Sequence, residues 1–157
     1  PNAALLYSGL GAFESTNVSV GRGTSSPFEF FGAPWMKNVL VVRALKKKNF
    51  PGIQLKAVHL TPASDIYKNT KCYGVRVTVT NPYVARPVDL FVHAACLLRD
   101  LSTKEFHPRW AEMPRVVGSA DFETWFKAGE SPEVILEKIH KSADAFKEER
   151  KPFLMYQ

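Results

Sequence analysis

The sequence predicts an α+β domain, a small mixed β-sheet packed with about three to four helices in a single domain. Three observations carry this. Helical and strand-like periodicities are intermixed along the chain with no regular βαβ alternation. Tyr73–Thr80 alternates apolar and polar residues, whereas Leu90–Leu98 is apolar nearly all round. The chain has 157 residues, 45% hydrophobic and 23% charged, which is enough to bury a core without a disulfide or a metal.

The first residues hold two short apolar pieces, Ala3–Leu6 and Leu10–Phe13. The stretch from Glu14 to Thr24 is polar and carries two glycines, so it reads as an ordered loop. Phe28–Ala33 reads as a strand ended by Pro34. Lys37–Lys48 reads as a helix whose apolar stripe is Val39, Leu40, Val42 and Leu45, stopped by Asn49-Phe50-Pro51-Gly52. Ile53–Leu60 is a second strand, and Thr61–Thr70 connects it to the strand at Tyr73–Thr80. Pro87–Leu101 is a helix with proline in its first turn, and its apolar run marks it as the buried central helix. Ser102–Ser119 reads as irregular, followed by a short helix near Asp121–Lys127 that Gly129 stops. The last helix is the best marked: Ser131 is an N-cap, Pro132 suits the first turn and Glu133 favours the dipole. Its stripe is Ile135, Ile139, Ala143 and Phe146. Phe153–Tyr156 closes the chain as a short strand or docked tail.

Several function classes recede on composition. The net charge is +6, from 21 Lys and Arg against 15 Asp and Glu, but it is spread along the chain. Its one run, Lys46-Lys47-Lys48, falls where cations complement a helix end, and no nucleic-acid-binding motif accompanies it. No nucleic-acid partner is therefore expected. Closely spaced Cys and His pairs of the metal-site kind do not occur, so neither a metal nor a cofactor is expected. Cys96 lies in the apolar run and is expected as a buried thiol; a Cys72–Cys96 disulfide is the alternative for an exported protein. His59 and His93 are expected as core residues, and His107 and His140 as exposed ones. No apolar run approaches the ~18 residues of a membrane span, and no signal peptide is recognisable. A chain opening on Pro1 is expected to be processed or part of a longer protein.

The polar loop lies within a longer signature. Tyr7-Ser8-Gly9-Leu10 is followed by Phe13-Glu14-Ser15-Thr16-Asn17-Val18-Ser19-Val20-Gly21-Arg22-Gly23-Thr24, then Pro27-Phe28, then Gly32-Ala33-Pro34-Trp35. Further along come Lys71-Cys72-Tyr73-Gly74-Val75, Arg86-Pro87-Val88 and the ending Phe146–Tyr156. Together these resemble the C-terminal domain of the NamZ-type exo-β-N-acetylmuramidase family, over nearly the whole chain. Ser8 stands where the family usually has Pro, and Ser15 where it usually has Gly. A glycine with positive φ at the latter place would leave Ser15 strained.

The resemblance implies that residues 1–157 form an accessory domain completing a substrate cleft. A Rossmann-like catalytic domain would precede it and carry the principal catalytic residues. The activity implied is release of N-acetylmuramic acid from non-reducing ends of peptidoglycan fragments, outside the cytoplasm. The partners are muropeptides and that N-terminal domain, and this chain alone is expected to be inactive. The alternative is a stand-alone, non-catalytic muropeptide- or carbohydrate-binding module.

Within the signature, Glu14 is the only acid. Glycosidases work with pairs of carboxyl groups, so Glu14 either contacts sugar hydroxyls or supports catalysis across the cleft, or else it holds the loop together. Thr16 and Asn17 carry the donors and acceptors that sugar recognition uses, although Asn17 also suits a left-handed turn. Arg22 matches the lactyl carboxylate of N-acetylmuramic acid, which a guanidinium grips with two parallel bonds; the alternative is an ion pair with Glu14 or Glu29. Gly23 lets backbone approach a ligand, and Thr24 adds a hydroxyl. Trp35 either stacks on a sugar ring or fills the core.

Overall fold

A computed structural model describes residues 2–155. Its elements are α1 (Asn2–Leu10), β1 (Phe30–Ala33), α2 (Asn38–Lys46), β2 (Ile53–Leu60), β3 (Cys72–Val79), α3 (Pro87–Leu101), α4 (Met113–Val117), α5 (Asp121–Lys127) and α6 (Pro132–Arg150). The α+β class holds. Among the described residues the sheet is antiparallel throughout, in the order β1-β3-β2, and it is accompanied by six helices rather than three or four.

β3 is the middle strand, pairing Val77 with Leu55 and Val75 with Ala57 on β2, and Val75 with Phe31 on β1. Val75, Val77 and Leu55 belong to the same buried core as the central helix α3. Seven residues between Leu90 and Leu98 are buried there, including Phe91, Cys96 and Leu98. The glycines on paired strands have a packing reason. A Cβ on Gly32 or Gly74 would lie 2.4–2.5 Å from the Phe30 ring. The absence of side chains there lets Phe30 lie flat across the sheet's other face, fully buried.

Several sequence expectations need correction. The two apolar pieces at the start are one helix, α1, and a 3-10 turn, Gly11–Ser15. β1 begins at Phe30, because Phe28 has φ +62° and breaks the extended run. In α2 the buried positions are Val41, Val42 and Leu45, whereas Val39 and Leu40 are exposed. The helix meets β2 and α3 through a stripe rotated away from the one expected. The segment Ser102–Ser119 is not wholly irregular. It contains α4, with Pro114 in its first turn and Gly118 left-handed at its end.

Beyond Ile139, α6 leaves the core: Ala143 and Phe146 are exposed. The end of the chain forms a 3-10 turn, Lys151–Phe153, rather than a strand, and Phe153 and Met155 are 83% and 88% exposed. Tyr156 lies outside the described residues. No described helix is long and apolar enough to cross a membrane.

Cys72 and Cys96 are separate buried thiols and form no disulfide, and burial pushes each up to about 11. His59 is exposed beside Tyr73, against the core placement expected. His140 is half-buried, with Nε2 3.0 Å from Asp89 Oδ1. Lys48 ends the lysine run on Glu133 at 2.7 Å, tying α2 to the start of α6.

His93 is half-buried and edge-on to Phe50, with ring centroids 5.4 Å apart. Burial pulls it below its ordinary 6.5 and Lys48 adds to this, while Glu133 and Asp89 act in the opposite direction. The folded chain therefore binds fewer protons here than the unfolded one. The stability contributed is present above about pH 6.5 and lost as pH falls below it. Thermal unfolding should show a Tm that drops from about pH 7.5 to about pH 5, with a shallower drop in His93→Gln. Equal slopes would exclude His93 as the source.

Candidate functional site

The signature loop begins on the 3-10 turn Gly11–Ser15 and is anchored by Phe13. That ring is fully buried, stacked on Phe31 at 5.0 Å and edge-on to Phe91 at 5.0 Å. Ser15, where the family has glycine, is unstrained, since its φ is not positive. It is buried, and its hydroxyl donates to Ala12 O at 2.7 Å and lies 3.0 Å from Met113 Sδ.

Three of the expected ligand-contacting side chains are occupied by the fold. Thr16 is buried; its Oγ1 donates to Phe13 O at 2.7 Å and accepts from Val18 N at 3.0 Å. Asn17 is not left-handed. Its amide Nδ2 donates to Glu105 O at 2.7 Å and its Oδ1 accepts from His107 N at 2.8 Å, while its own N donates to His107 O at 3.1 Å. It thus clasps the segment before α4. Thr24 closes a tight turn, its Oγ1 donating to Gly21 O at 2.6 Å and accepting from Ser26 N at 3.1 Å.

Gly23 has φ +75°, and a Cβ there would stand 2.5 Å from Ser64 N. The close approach it permits is therefore to the β2–β3 connection rather than to open space, and Ala63 N donates to Gly23 O at 2.9 Å. Trp35 is half-buried near Phe106, centroids 6.4 Å apart, and its Nε1 donates to Tyr67 Oη at 3.3 Å. Burial pushes the Tyr67 phenol upward, so it keeps its proton and donates to Asn17 O at 2.8 Å. The contact network favours the core reading for Trp35.

Glu14 and Arg22 remain open. Arg22 Nε donates to Glu14 Oε1 at 2.5 Å, with side chains 47% and 30% exposed. The guanidinium also lies over the Phe28 ring at 4.8 Å. The hydrogen bond to Glu14 raises the Arg22 pKa above its ordinary value, so it stays charged. Its terminal Nη groups have no partner among the described residues. The pair lines a cleft of about 160 Å³ with Asp65 and Arg109 on the rim and Val18 and Val20 behind. On the other side of Glu14 a wider groove of about 610 Å³ runs past Tyr7, Ser8, Glu112 and Arg115. Glu14 is the residue that both share. A third groove, about 620 Å³ and mostly apolar, lies between α3, α5 and α6 and shares none of these residues.

Sequence reasoning missed Asp65, Tyr67, Arg109, Glu112 and Arg115. Asp65 and Tyr67 sit on a connection with left-handed φ at Asp65, Tyr67 and Asn69. Arg109 and Glu112 lie in the stretch read as irregular. No spacing motif joins them to the signature, because they reach it only through the fold. Among the described residues no group of His, Cys, Asp and Glu is arranged to hold a metal ion.

An antiparallel sheet covered by helices, with a clamped polar loop presenting a carboxylate–guanidinium pair to a cleft, defines an α+β domain whose exposed chemistry lies in one loop. The family model described as exo-β-N-acetylmuramidase NamZ, C-terminal, matches residues 5–156, and the chain belongs to that family. The chain is 29% identical over 155 residues to the peptidoglycan β-N-acetylmuramidase NamZ of Bacillus subtilis (strain 168), covering 98% of this chain and 37% of that protein. A crystal structure of a DUF1343 family protein from Bacteroides fragilis NCTC 9343 superposes with a TM-score of 0.88 at 21% identity, over 98% of this chain and 42% of the other. A second DUF1343 protein from the same organism gives 0.66 at 26% identity, over 99% and 41%. The chain thus spans about two-fifths of the length of these proteins.

The clasp by Asn17 yields a direct test. Asn17→Ala removes two side-chain bonds, to Glu105 O and His107 N. A loss of about 1–3 kcal/mol in urea unfolding is expected. An unchanged unfolding midpoint would mean the clasp contributes nothing.

Proposed function

We propose that this chain is the cleft-completing C-terminal domain of a peptidoglycan-processing glycosidase, which releases N-acetylmuramic acid from non-reducing ends. The Glu14–Arg22 pair would face the sugar. The observation that carries the reading is that, of the signature's polar side chains, the fold leaves these two turned to a cleft and spends Thr16, Asn17 and Thr24 on itself. Family membership supplies the reaction class.

The chemistry suits the substrate. N-acetylmuramic acid carries a lactyl carboxylate, and Arg22 offers its Nη edge while Glu14 holds Nε. A carboxylate reaching that edge meets a guanidinium already oriented by its partner and by the Phe28 face, which lowers the ordering cost of binding. Glu14 Oε2 is left to accept from a sugar hydroxyl. The hydrolytic step needs a second carboxyl group or an equivalent opposite the sugar. A preceding N-terminal domain would supply it, so this chain by itself orients substrate and excludes water but does not turn it over. The exposed apolar residues at the end of α6 and beyond suit a face covered by such a domain, and the reading places the whole protein outside the cytoplasm.

Titration of the chain, and of the chain joined to an N-terminal domain of the family, with a disaccharide bearing non-reducing N-acetylmuramic acid tests this. Binding is expected in the joined protein and to be lost in Arg22→Ala. Because the ion pair is half-exposed, Arg22→Ala and Glu14→Gln should each change stability by no more than about 1 kcal/mol. Wild-type affinity and turnover in both variants would overturn the reading.

A further inference from the structure

We propose that Arg109 is the positioning residue of this cleft, fixing the backbone that carries Glu14; this rests on the reading of Glu14 as substrate-facing. The carbonyls of three consecutive signature residues converge on it. Its Nη2 donates to Glu14 O, its backbone N donates to Ser15 O at 2.7 Å, and its Nη1 donates to Thr16 O at 3.0 Å. The third nitrogen of the guanidinium is used as well, Nε donating to Glu112 Oε2 at 2.9 Å. Glu112 N donates to Arg109 O at 3.0 Å, so the counter-ion belongs to the same turn that leads into α4.

The physical problem solved here is specific. A 3-10 turn ending at Ser15 leaves its last carbonyls without partners in the turn, and these carry the negative end of its dipole. Water would satisfy them loosely. A planar guanidinium satisfies two at once in a fixed plane, which a lysine ammonium, a rotating point charge, does not reproduce. The same side chain lines the cleft beside Glu14 and Arg22. Arg109 therefore sets where the Glu14 Cα stands, and through the ion pair where Arg22 stands, without itself needing to touch a sugar. Asn17, clasped to Glu105 and His107, pins the following residue to the same segment, so the turn is held on two successive sides.

The test uses the whole protein in which this domain follows its N-terminal domain, with a chromogenic aryl β-N-acetylmuramide as substrate, well below the melting temperature. A misplacement of about 1 Å in how the substrate is held costs on the order of a hundredfold in rate. Arg109→Ala is expected to lower kcat by about that factor, with Arg109→Lys recovering little of it although it keeps the charge. If Arg109 acts through Glu14, the Glu14→Gln/Arg109→Ala double variant loses no more than the worse single variant. Amide exchange at Thr16, Asn17 and Val18 should quicken in Arg109→Lys while the core of β3 stays protected.

A merely structural arginine would lower Tm and leave kcat and KM of the folded protein at wild-type values; that result overturns the proposal. Should Arg109→Ala not fold, Arg109→Lys and Glu112→Gln carry the same comparison, and wild-type kinetics in both overturn it equally. Full activity in Glu14→Gln is a different outcome, since it removes the cleft reading itself.

Discussion

The structure depends on the burial of Phe13. This ring is stacked on Phe31 of the sheet and edge-on to Phe91 of the central helix, and it belongs to the 3-10 turn that launches the signature loop. Burying a phenylalanine contributes roughly 2–3 kcal/mol, and here the same ring does three things at once. It closes the core between α3 and the sheet, fixes the height of the turn above that core, and thereby puts Glu14 at the surface immediately beside it. A loop rich in Ser, Thr and Gly has few apolar contacts to order it. It is held in place because one of its neighbours is a core residue and because Thr16, Asn17, Ser19 and Thr24 all have internal partners.

The fold was readable wherever burial and periodicity agree. β2 and α3 have the bounds their patterns predict, Ile53–Leu60 and Pro87–Leu101, and Ser131 caps α6 through its hydroxyl, which accepts from Val134 N at 3.3 Å. Patterns misled where neighbours decide. The α2 stripe was misplaced because Val39 and Leu40 are as apolar as Val41, and only the positions of β2 and α3 choose between them. The start of the chain was read in fragments because α1 is apolar on most sides, so its hydrophobicity carries little direction. The helix α4 is five residues long and too short to show a period.

The site was legible in the same uneven way. Glu14 and Arg22 stand out as charges within a glycine-flanked polar run. The ion pair between them is one of the alternatives the sequence offers for Arg22, and it coexists with an open Nη edge. Thr16, Asn17 and Thr24 have the composition of a sugar site and the bonding of a scaffold. A hydroxyl or amide in a loop is attractive to a ligand and to the loop's own backbone for the same reason, its donors and acceptors. Which of the two takes it is decided by distance, which a sequence does not contain. Arg109, ninety-five positions from the carbonyl of Glu14, has no local mark at all.

The cleft is electrostatically closed in one respect and open in another. Glu14 neutralises Arg22, and Glu112 neutralises Arg109, so each of these guanidinium groups has a carboxylate partner in the unliganded domain. Both pairs are at the surface, where water competes and the net value of an ion pair is small. On the proposed reading, a ligand carboxylate would therefore have little to displace. It would add a second anion to a guanidinium that is already charged and is oriented by Glu14 and the Phe28 ring, while Asp65, which lines the same cleft, would repel it. On the proposed reading, that arrangement would favour a carboxylate-bearing sugar over its neutral counterpart. The neutral sugar would gain only hydrogen bonds that water already supplies, whereas the acid would gain a charge-assisted pair with a guanidinium that Glu14 already orients.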